Sequence, residues 1–226
     1  GSAIAGRVAN TRLQHEKSTG TSGNPFTVYF DSHYVTNRNL RFLRALHATG
    51  YRWPMSMLLI TGDRDRKSSP GRRWYYTSLK ASLQEWYDLL LKTRPRVLYG
   101  CTTPLRLLAS HIREHGLSAH HPSIVITTAE TLDGATRRLL AEPFHSEVFD
   151  FYGMTEMGLV AWECKAHAGY HLAEDAILIE RLPIATSTAA ATGPGPFRLL
   201  YTNLELSAMP LIRYESGDTA WGYTTA

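Results

Sequence analysis

Apolar and polar residues alternate along the first two thirds of the chain in a way that predicts strands separated by helices. The strand-like runs are short and rich in β-branched or aromatic residues, and the segments between them place apolar residues at helical spacing. Thr103 followed by Pro104 is typical of a helix N-cap and first helical position. The pattern predicts strands at 26–30, 57–60, 96–99, 124–127 and 148–152, and helices at 33–48, 78–93, 105–114 and 133–141.

The helical pattern stops after about residue 158. The runs at 170–172, 176–181, 197–202 and 209–214 predict short antiparallel strands, and the Gly- and Pro-rich stretch 183–196 predicts a hairpin loop. Strands alternating with helices indicate βαβ units. We therefore expect an α/β fold whose mostly parallel sheet is flanked by helices (1–157), followed by a smaller antiparallel β-rich portion (158–226).

Composition narrows the class of protein. The chain has 226 residues, 43% of them hydrophobic, and a net charge of +4. Its two cysteines exclude a disulfide scaffold, and its aromatic share of 11% argues against a disordered chain. No apolar run approaches the ~20 residues that span a bilayer. These features predict a cytoplasmic protein without a membrane or nucleic-acid partner. The basic stretch 62–73 is either a solvated loop or a loop that faces a phosphate or a partner.

Hydroxyl and glycine residues are interleaved just before the first predicted strand. Such a loop lets backbone N–H and side-chain O–H groups converge on an anion, although a turn without a ligand would use the same residues. The pattern is not a Walker A loop. The residues concerned are Ser18, Thr19, Gly20, Thr21, Ser22 and Gly23.

Two further segments combine carboxylates with hydroxyls. Thr155 and Glu156 follow the strand predicted at 148–152, and loops at the carboxyl ends of parallel strands are where α/β sheets bind ligands. A carboxylate there suits Mg²⁺ and a phosphoryl oxygen, while the alternative is an ordinary helix N-cap. Asp218, after Ser216 and Gly217, could accept hydrogen bonds from a ribose diol or belong to an ordinary turn.

Taken together and in order, these segments resemble the adenylate-forming superfamily. Ser18–Pro25 is similar to its phosphate loop, Tyr152–Glu156 to its Y-G-x-T-E motif and Tyr214–Asp218 to its Y-x-[TS]-G-D motif, and Thr128–Glu130 resembles the segment beside adenine. Tyr99–Pro104 and the run Trp162–Cys164 followed by His171 resemble the phenylacetate–CoA ligase and coenzyme F390 synthetase branch.

The resemblance implies a function and a role for each matching residue. The family joins a carboxylic acid to ATP, giving an acyl-adenylate and pyrophosphate, and a thiol such as CoA or a carrier protein then displaces AMP. The implied acid is aryl or bulky and apolar. By this resemblance, Ser18–Gly23 would hold the ATP phosphates, Ala129 and Glu130 would line the adenine site beside Tyr152 and Gly153, Thr155 would contact the α-phosphate, Glu156 would hold Mg²⁺, and Asp218 would bind the ribose.

The sequence departs from the family pattern in two places. Asn24 and Phe26 stand where relatives often carry a lysine after the phosphate loop. The family's C-terminal lid, which follows the ribose-binding Asp, does not follow Asp218 here. We therefore expect a truncated or minimal ligase core. The alternative is a catalytically weak nucleotide-binding or scaffold module that needs a partner, or a second copy of the chain, to supply the lid.

Zinc is a further hypothesis. Cys164 and His171 lie close in sequence with His167 between them, and members of the branch bind structural zinc with a similar pair. The alternative is a surface loop that carries one thiol and two imidazoles.

Overall fold

The computed structural model describes residues 13–18, 26–62, 71, 73–184 and 196–221. In these residues strands and helices alternate up to about residue 154, and strands follow. The elements in chain order are β1 (Gln14–Lys17), β2 (Thr27–Phe30), α1 (Ser32–Ala48), β3 (Met57–Thr61), β4 (Trp74–Ser78), α2 (Leu83–Thr93), β5 (Val97–Cys101), α3 (Thr102–Glu114), β6 (Ile124–Thr128), α4 (Gly134–Phe144), β7 (Glu147–Met154), β8 (Gly158–Glu163), β9 (Tyr170–Leu172), β10 (Ile177–Pro183), β11 (Phe197–Asn203) and β12 (Tyr214–Ala220).

A seven-stranded sheet carries most of these strands, in the order β4-β3-β5-β6-β7-β8-β9. The pairs from β4 to β7 are parallel, and β8 pairs with β9 antiparallel. A separate three-stranded sheet, β10-β11-β12, is antiparallel, and β1 pairs with β2. The predicted fold class, a mostly parallel sheet flanked by helices with a smaller antiparallel portion, is confirmed.

Two compact units make up the chain, and each is built from segments that are distant in sequence. The first unit takes its described residues from Gly1–Arg41, Met154–Val160 and Ala173–Ala226, and the second from Phe42–Gly153 and Ala161–Leu172. The division at residues 157 and 158 stays a prediction.

The core of the second unit explains why its strands read as continuous apolar runs. Strands covered on both faces bury every side chain, so alternation disappears. Helix α2 lies against this core and begins with a capping box, in which Ser82 and Glu85 each accept a hydrogen bond from the other's backbone N–H. The fully buried members of the core include Leu58, Ile60, Leu90, Leu98, Leu105, Leu108, Val125, Leu140 and Phe144.

Two predicted helix starts are wrong. Residues 74–78 form strand β4, so α2 begins at Leu83 and not at 78. Helix α3 begins at Thr102 with Cys101 as its N-cap, which makes no side-chain capping bond, so Thr103 is not the cap and Pro104 is the third helical residue. Strand β5 runs directly into α3, which leaves no room for a separate capping turn.

The antiparallel portion also differs in detail. The strand predicted at 209–214 is wrong, because β12 begins at Tyr214 and runs to Ala220. Strands β1 and β8 were not predicted. The predicted loop at 183–196 has its residues 185–195 outside the described residues, as does most of the basic stretch 62–73. In the described part of the chain, no helix is long and apolar enough to cross a membrane.

Candidate active site

The predicted site residues are distributed over both units, and each group is described by itself. Ser18, Thr155, Glu156 and Asp218 belong to the first unit. The second unit carries Ala129, Glu130, Tyr152 and Gly153. The remaining residues of the predicted phosphate loop, Thr19, Gly20, Thr21, Ser22 and Gly23, lie outside the described residues.

Ser18 and Phe26 close the base of the predicted phosphate loop. The Ser18 N–H donates to the Phe26 carbonyl oxygen over 2.8 Å, and the Phe26 N–H donates to Ser18 Oγ over 3.0 Å. Strands β1 and β2 pair antiparallel up to Lys17 and Thr27. The strand pair therefore brings Ser18 and Phe26 together, and the Ser18 hydroxyl contributes to holding them there.

Glu156 lies in the turn between β7 and β8, with only 7% of its surface exposed. The Tyr214 phenol donates a hydrogen bond to Glu156 Oε1 over 3.0 Å. Burial and the neighbouring Glu156 carboxylate raise the pKa of Tyr214 to about 12. Among the described residues, no Lys, Arg or His forms an ion pair with Glu156. This buried carboxylate is therefore held by a neutral donor.

Buried side chains hold the backbone of the same turn. The Arg41 guanidinium, 4% exposed, donates from one nitrogen to the carbonyl oxygens of Met157 and Leu159, each over 3.0 Å, and its other terminal nitrogen pairs with Glu205. The Asn203 amide donates to the Glu156 carbonyl oxygen over 3.5 Å. These contacts fix the backbone from which the Glu156 side chain projects.

No helix begins at Thr155. Residues 155–157 form a turn that leads into β8, so the alternative of an ordinary helix N-cap at Thr155 and Glu156 is wrong. Thr155 is half-buried.

Asp218 is an exposed residue of β12. The Ser216 hydroxyl donates to Asp218 Oδ2 over 3.1 Å, and Ser216 Oγ in turn accepts from the Asp218 N–H over 3.1 Å. Gly217 between them has φ +84°, a conformation that suits glycine. The segment is thus a strand with a local kink, and the Asp218 carboxylate is exposed to a ligand.

In the second unit, Glu130 contacts the first turn of α3. Its carboxylate accepts hydrogen bonds from the Thr103 N–H over 2.9 Å and from the Thr103 hydroxyl, and its carbonyl oxygen accepts from Thr102 Oγ1 over 3.1 Å. An anion at a helix N-terminus is favourable because unpaired N–H groups point at it. Glu130 therefore caps α3 from a distant loop. Ala129 beside it has φ +67°, which is strained for a residue with a side chain.

Tyr152 and Gly153 lie at the end of β7, one strand away from Ala129 and Glu130. The parallel register pairs Thr128 of β6 with Phe151 of β7, so the segments that follow these two residues leave the same edge of the sheet. The two predicted adenine-site segments are thus adjacent, at the carboxyl ends where α/β sheets bind ligands.

A buried polar network around Asp150 was missed by the sequence reasoning. Asp150, 6% exposed, accepts hydrogen bonds from the Thr127 hydroxyl at 2.8 Å and the Tyr170 phenol at 2.6 Å. Its backbone N–H donates to Glu163, whose carboxylate pairs with Arg137 at 2.7 Å. Burial raises the pKa of Asp150. The signal was available in the sequence, since Asp150 interrupts an apolar strand.

The described residues give no support to the zinc hypothesis. No three His, Cys, Asp or Glu side chains in the described part of the chain, which includes Cys164 and His171, form a group that could hold a metal ion. His167 instead lies 3.2 Å from Glu147 and stacks on Phe149, and His171 stacks on Trp162. Aromatic packing and carboxylate contacts occupy these imidazoles.

The fold is similar to that of several solved structures, among them a CoA ligase and an acyl-CoA synthetase. No protein-family model matches the sequence. No curated protein matches it either.

Three of these structures show how far the likeness extends. An open conformation of 2-hydroxyisobutyryl-CoA ligase in complex with 2-HIB-AMP and CoA is 17% identical, with a TM-score of 0.74 over 92% of this chain and 48% of that one. ATP-bound MatB from Rhodopseudomonas palustris is 14% identical, with a TM-score of 0.63 over 92% and 45%. An acyl-CoA synthetase from Brucella canis is 17% identical, with a TM-score of 0.61 over 92% and 42%. The chain spans about half the length of these proteins or less, and at these identities the likeness shows a common fold.

Proposed function

We propose that this chain activates a carboxylic acid with ATP, forming an acyl-adenylate and pyrophosphate, and that a thiol such as CoA or a carrier protein then accepts the acyl group. The observation that carries the proposal is Glu156, a buried carboxylate without an ion-pair partner among the described residues, hydrogen-bonded to Tyr214. The fold supports it, because a similar fold occurs in ATP-bound MatB and in a CoA ligase solved with 2-HIB-AMP and CoA.

In this reaction the protein positions the substrates and neutralises charge, and it does not need to supply a nucleophile. Ser18 and the loop that follows it would bind the ATP phosphates, Thr155 would contact the α-phosphate, and the exposed Asp218 would accept hydrogen bonds from the ribose. Ala129, Glu130, Tyr152 and Gly153 would lie against adenine. The attacking group is the substrate carboxylate, which forms a bond to the α-phosphorus while the bond to pyrophosphate breaks.

The donor set around Glu156 fits Mg²⁺. Mg²⁺ prefers oxygen ligands and is commonly bound through one or two carboxylates together with phosphate oxygens. A carboxylate that is not paired with a cation has its charge available for such an ion. When bound, Mg²⁺ would neutralise phosphate charge during adenylation. Glu156 would hold it on the protein side.

We further propose an aryl or bulky apolar acid as substrate and membership of the phenylacetate–CoA ligase branch. In the second unit, the rings of Trp74, Tyr99 and Phe151 each lie edge-on to Phe42, with centroids 5.5–6.3 Å from it. The rings of Phe42, Trp74 and Tyr99 are only half-buried. A cluster of this kind can contact an aromatic ligand through its ring edges.

Acid-dependent release of pyrophosphate tests the proposal. The protein is incubated with ATP, Mg²⁺ and a panel of aryl and aliphatic carboxylic acids, and pyrophosphate and AMP esters are quantified. We expect release with at least one acid. Binding of ATP without turnover for any acid would favour the nucleotide-binding or scaffold module, and absence of ATP and AMP binding would contradict both functions.

Two variants test the assigned roles separately. Glu156→Ala is expected to remove the Mg²⁺-dependent part of nucleotide binding, because it deletes the carboxylate. Asp218→Ala is expected to weaken adenosine binding with and without Mg²⁺, since its contact is to the sugar. Isothermal titration with ATP and with adenosine measures both effects. Parent-like binding by both variants would show that the motif assignment is wrong.

A further inference from the structure

We infer that Tyr214 is a positioning residue for Glu156, holding one oxygen of the carboxylate so that the other faces a divalent cation. The inference rests on the proposed function, in which Glu156 holds Mg²⁺. It adds a role for a residue to which the resemblance assigned none, and it connects two motifs of the first unit that lie 58 residues apart in sequence.

The contact is specific to one carboxylate oxygen. The Tyr214 phenol donates to Oε1 of Glu156 over 3.0 Å, whereas Oε2 makes no hydrogen bond within the described part of the chain. A glutamate side chain has several rotatable bonds, and fixing it costs conformational entropy on binding unless it is fixed beforehand. A donor on Oε1 orients the carboxylate and leaves the lone pairs of Oε2 available.

The chemistry of the donor suits this role. A phenol is a neutral donor, so it orients the carboxylate without forming an ion pair with it. A lysine or arginine in the same place would form an ion pair that a cation would have to displace. The Tyr214 phenol therefore leaves the second carboxylate oxygen of Glu156 available to a ligand.

Tyr214 is itself held from two sides. It is the first residue of β12 and pairs with Tyr201 of β11. Its ring stacks on Phe26, with centroids 6.3 Å apart and planes 22° from parallel. The preceding residue, Arg213, has φ +50° and donates its N–H to Thr202 Oγ1 over 3.0 Å. Since Phe26 also closes the base of the predicted phosphate loop, one stack links that base to the carboxylate.

The test uses Mn²⁺ as a probe of the proposed Mg²⁺ site. Its Kd is measured by electron paramagnetic resonance in the presence of saturating ATP. We expect Tyr214→Phe to raise the Kd for Mn²⁺ about three- to tenfold, because the ring and its stacking remain and only the orienting donor is lost. ATP binding without metal is expected to stay at the parent value, which a general structural defect would not allow. Tyr29→Phe, which removes a phenol without a hydrogen bond to any described residue, is the matched control and keeps the parent Kd.

Phe26→Leu provides a second route. It removes the stacking behind Tyr214 but leaves the hydroxyl, and we expect it to weaken Mn²⁺ binding in the same direction by a smaller factor, so the inference stays testable if Tyr214→Phe does not fold.

The outcomes separate the inference from the function on which it rests. An unchanged or tighter Mn²⁺ affinity in folded Tyr214→Phe, with Glu156→Gln abolishing binding, overturns the role of Tyr214 alone. If Tyr214→Phe does not fold, parent-like Mn²⁺ affinity in Phe26→Leu overturns that role. Parent-like Mn²⁺ binding by Glu156→Gln, or no Mn²⁺ bound with ATP by the parent, overturns the proposed role of Glu156 and the inference with it.

Discussion

Asp150 is a buried carboxyl group, and its surroundings compensate for burial only in part. It accepts hydrogen bonds from two hydroxyls, which favour the charged form, while burial and the nearby Glu163 favour the neutral form. Burial has the larger effect, so the pKa of Asp150 is raised in the folded protein. The folded chain therefore holds this proton to a higher pH than the unfolded chain does.

This predicts how Asp150→Asn changes the pH dependence of stability. A raised folded-state pKa contributes stability that is fully present below the unfolded pKa of about 4 and is lost as pH rises through the folded pKa. The variant has no such titration, so we expect the free energy of unfolding of the parent, relative to Asp150→Asn, to fall as pH rises from 3 to 7. Urea unfolding across that range measures the difference.

Asp133→Asn is a control of opposite sign. Asp133 caps α4, and the hydrogen bond that its carboxylate accepts from the Thr136 N–H lowers its pKa. Its contribution is present above the unfolded pKa and is lost as pH falls through the folded pKa. A parent-minus-variant difference with the same slope for both aspartates would contradict the assignment of burial as the cause at Asp150.

At the level of residues, the sequence suggests which side chains belong to a site, but it does not show which side chains are in contact. The resemblance singled out Glu156 and Asp218 by their place in motifs. That Glu130 caps α3 could not be predicted, because Thr103 and Glu130 are 27 residues apart and meet only once two parallel strands are in register. The same holds for Tyr214 and Glu156, whose contact depends on how β12 follows β11.

Strands β3 and β5 and helix α3 approach one another closely at Gly100. A Cβ atom at this position would lie 2.7 Å from the Ile60 carbonyl oxygen and 3.3 Å from Leu105 Cδ2. The carbonyl belongs to a paired strand and cannot move away without disturbing the sheet. The absence of a side chain at Gly100 is therefore part of how these elements pack.

Gly100→Ala is expected to lower the free energy of unfolding by about 1–3 kcal/mol, as overpacking of a core does. Gly62→Ala is the matched control, because no atom of the described residues lies within 4 Å of its added Cβ, and a surface substitution of this kind changes stability by about 0.5 kcal/mol or less. Urea denaturation of both variants measures the effect. Equal stability of the two variants would mean that the strands accommodate the methyl group.

At the level of elements, the apolar strands β3, β5, β6 and β7 could be predicted, whereas the edge strand β4, the polar strand β12 and the buried strand β8 were missed. Strands β3, β5, β6 and β7 are apolar runs and were found to within a few residues. Strand β4 lies at the edge of the sheet, is half-buried throughout and runs into the polar segment before α2, so its aromatic residues did not separate it from the helix pattern. Strand β12 is mostly exposed and polar, so it lacked the apolar signal of a strand.

The whole molecule should be stabilised by its proposed ligand. A ligand that binds only the folded state adds about 2.7 kcal/mol when its free concentration is 100 times Kd. For a chain of this size that corresponds to a rise in Tm of roughly 5–10 °C. We expect ATP with Mg²⁺ to produce such a rise in a thermal unfolding experiment.

Glu156→Ala separates the metal-dependent part of this effect. In that variant the rise in Tm with ATP should be the same with Mg²⁺ and with EDTA, because the carboxylate that would hold the metal is gone. A parent protein whose Tm does not respond to ATP, with or without Mg²⁺, would contradict the proposed function at the level of the whole chain.

Because the first unit is discontinuous in sequence, the two units can begin to fold at different times during translation. All segments of the second unit have been synthesised by Leu172, whereas the first unit joins Asp31 to Ser207, 176 residues later, through a hydrogen bond of 3.2 Å. Domains generally fold as units during synthesis. The second unit can therefore begin to fold while the ribosome is still translating the last segment of the first unit. The Glu156–Tyr214 contact, and any nucleotide binding that depends on it, can form only after Tyr214 has been synthesised.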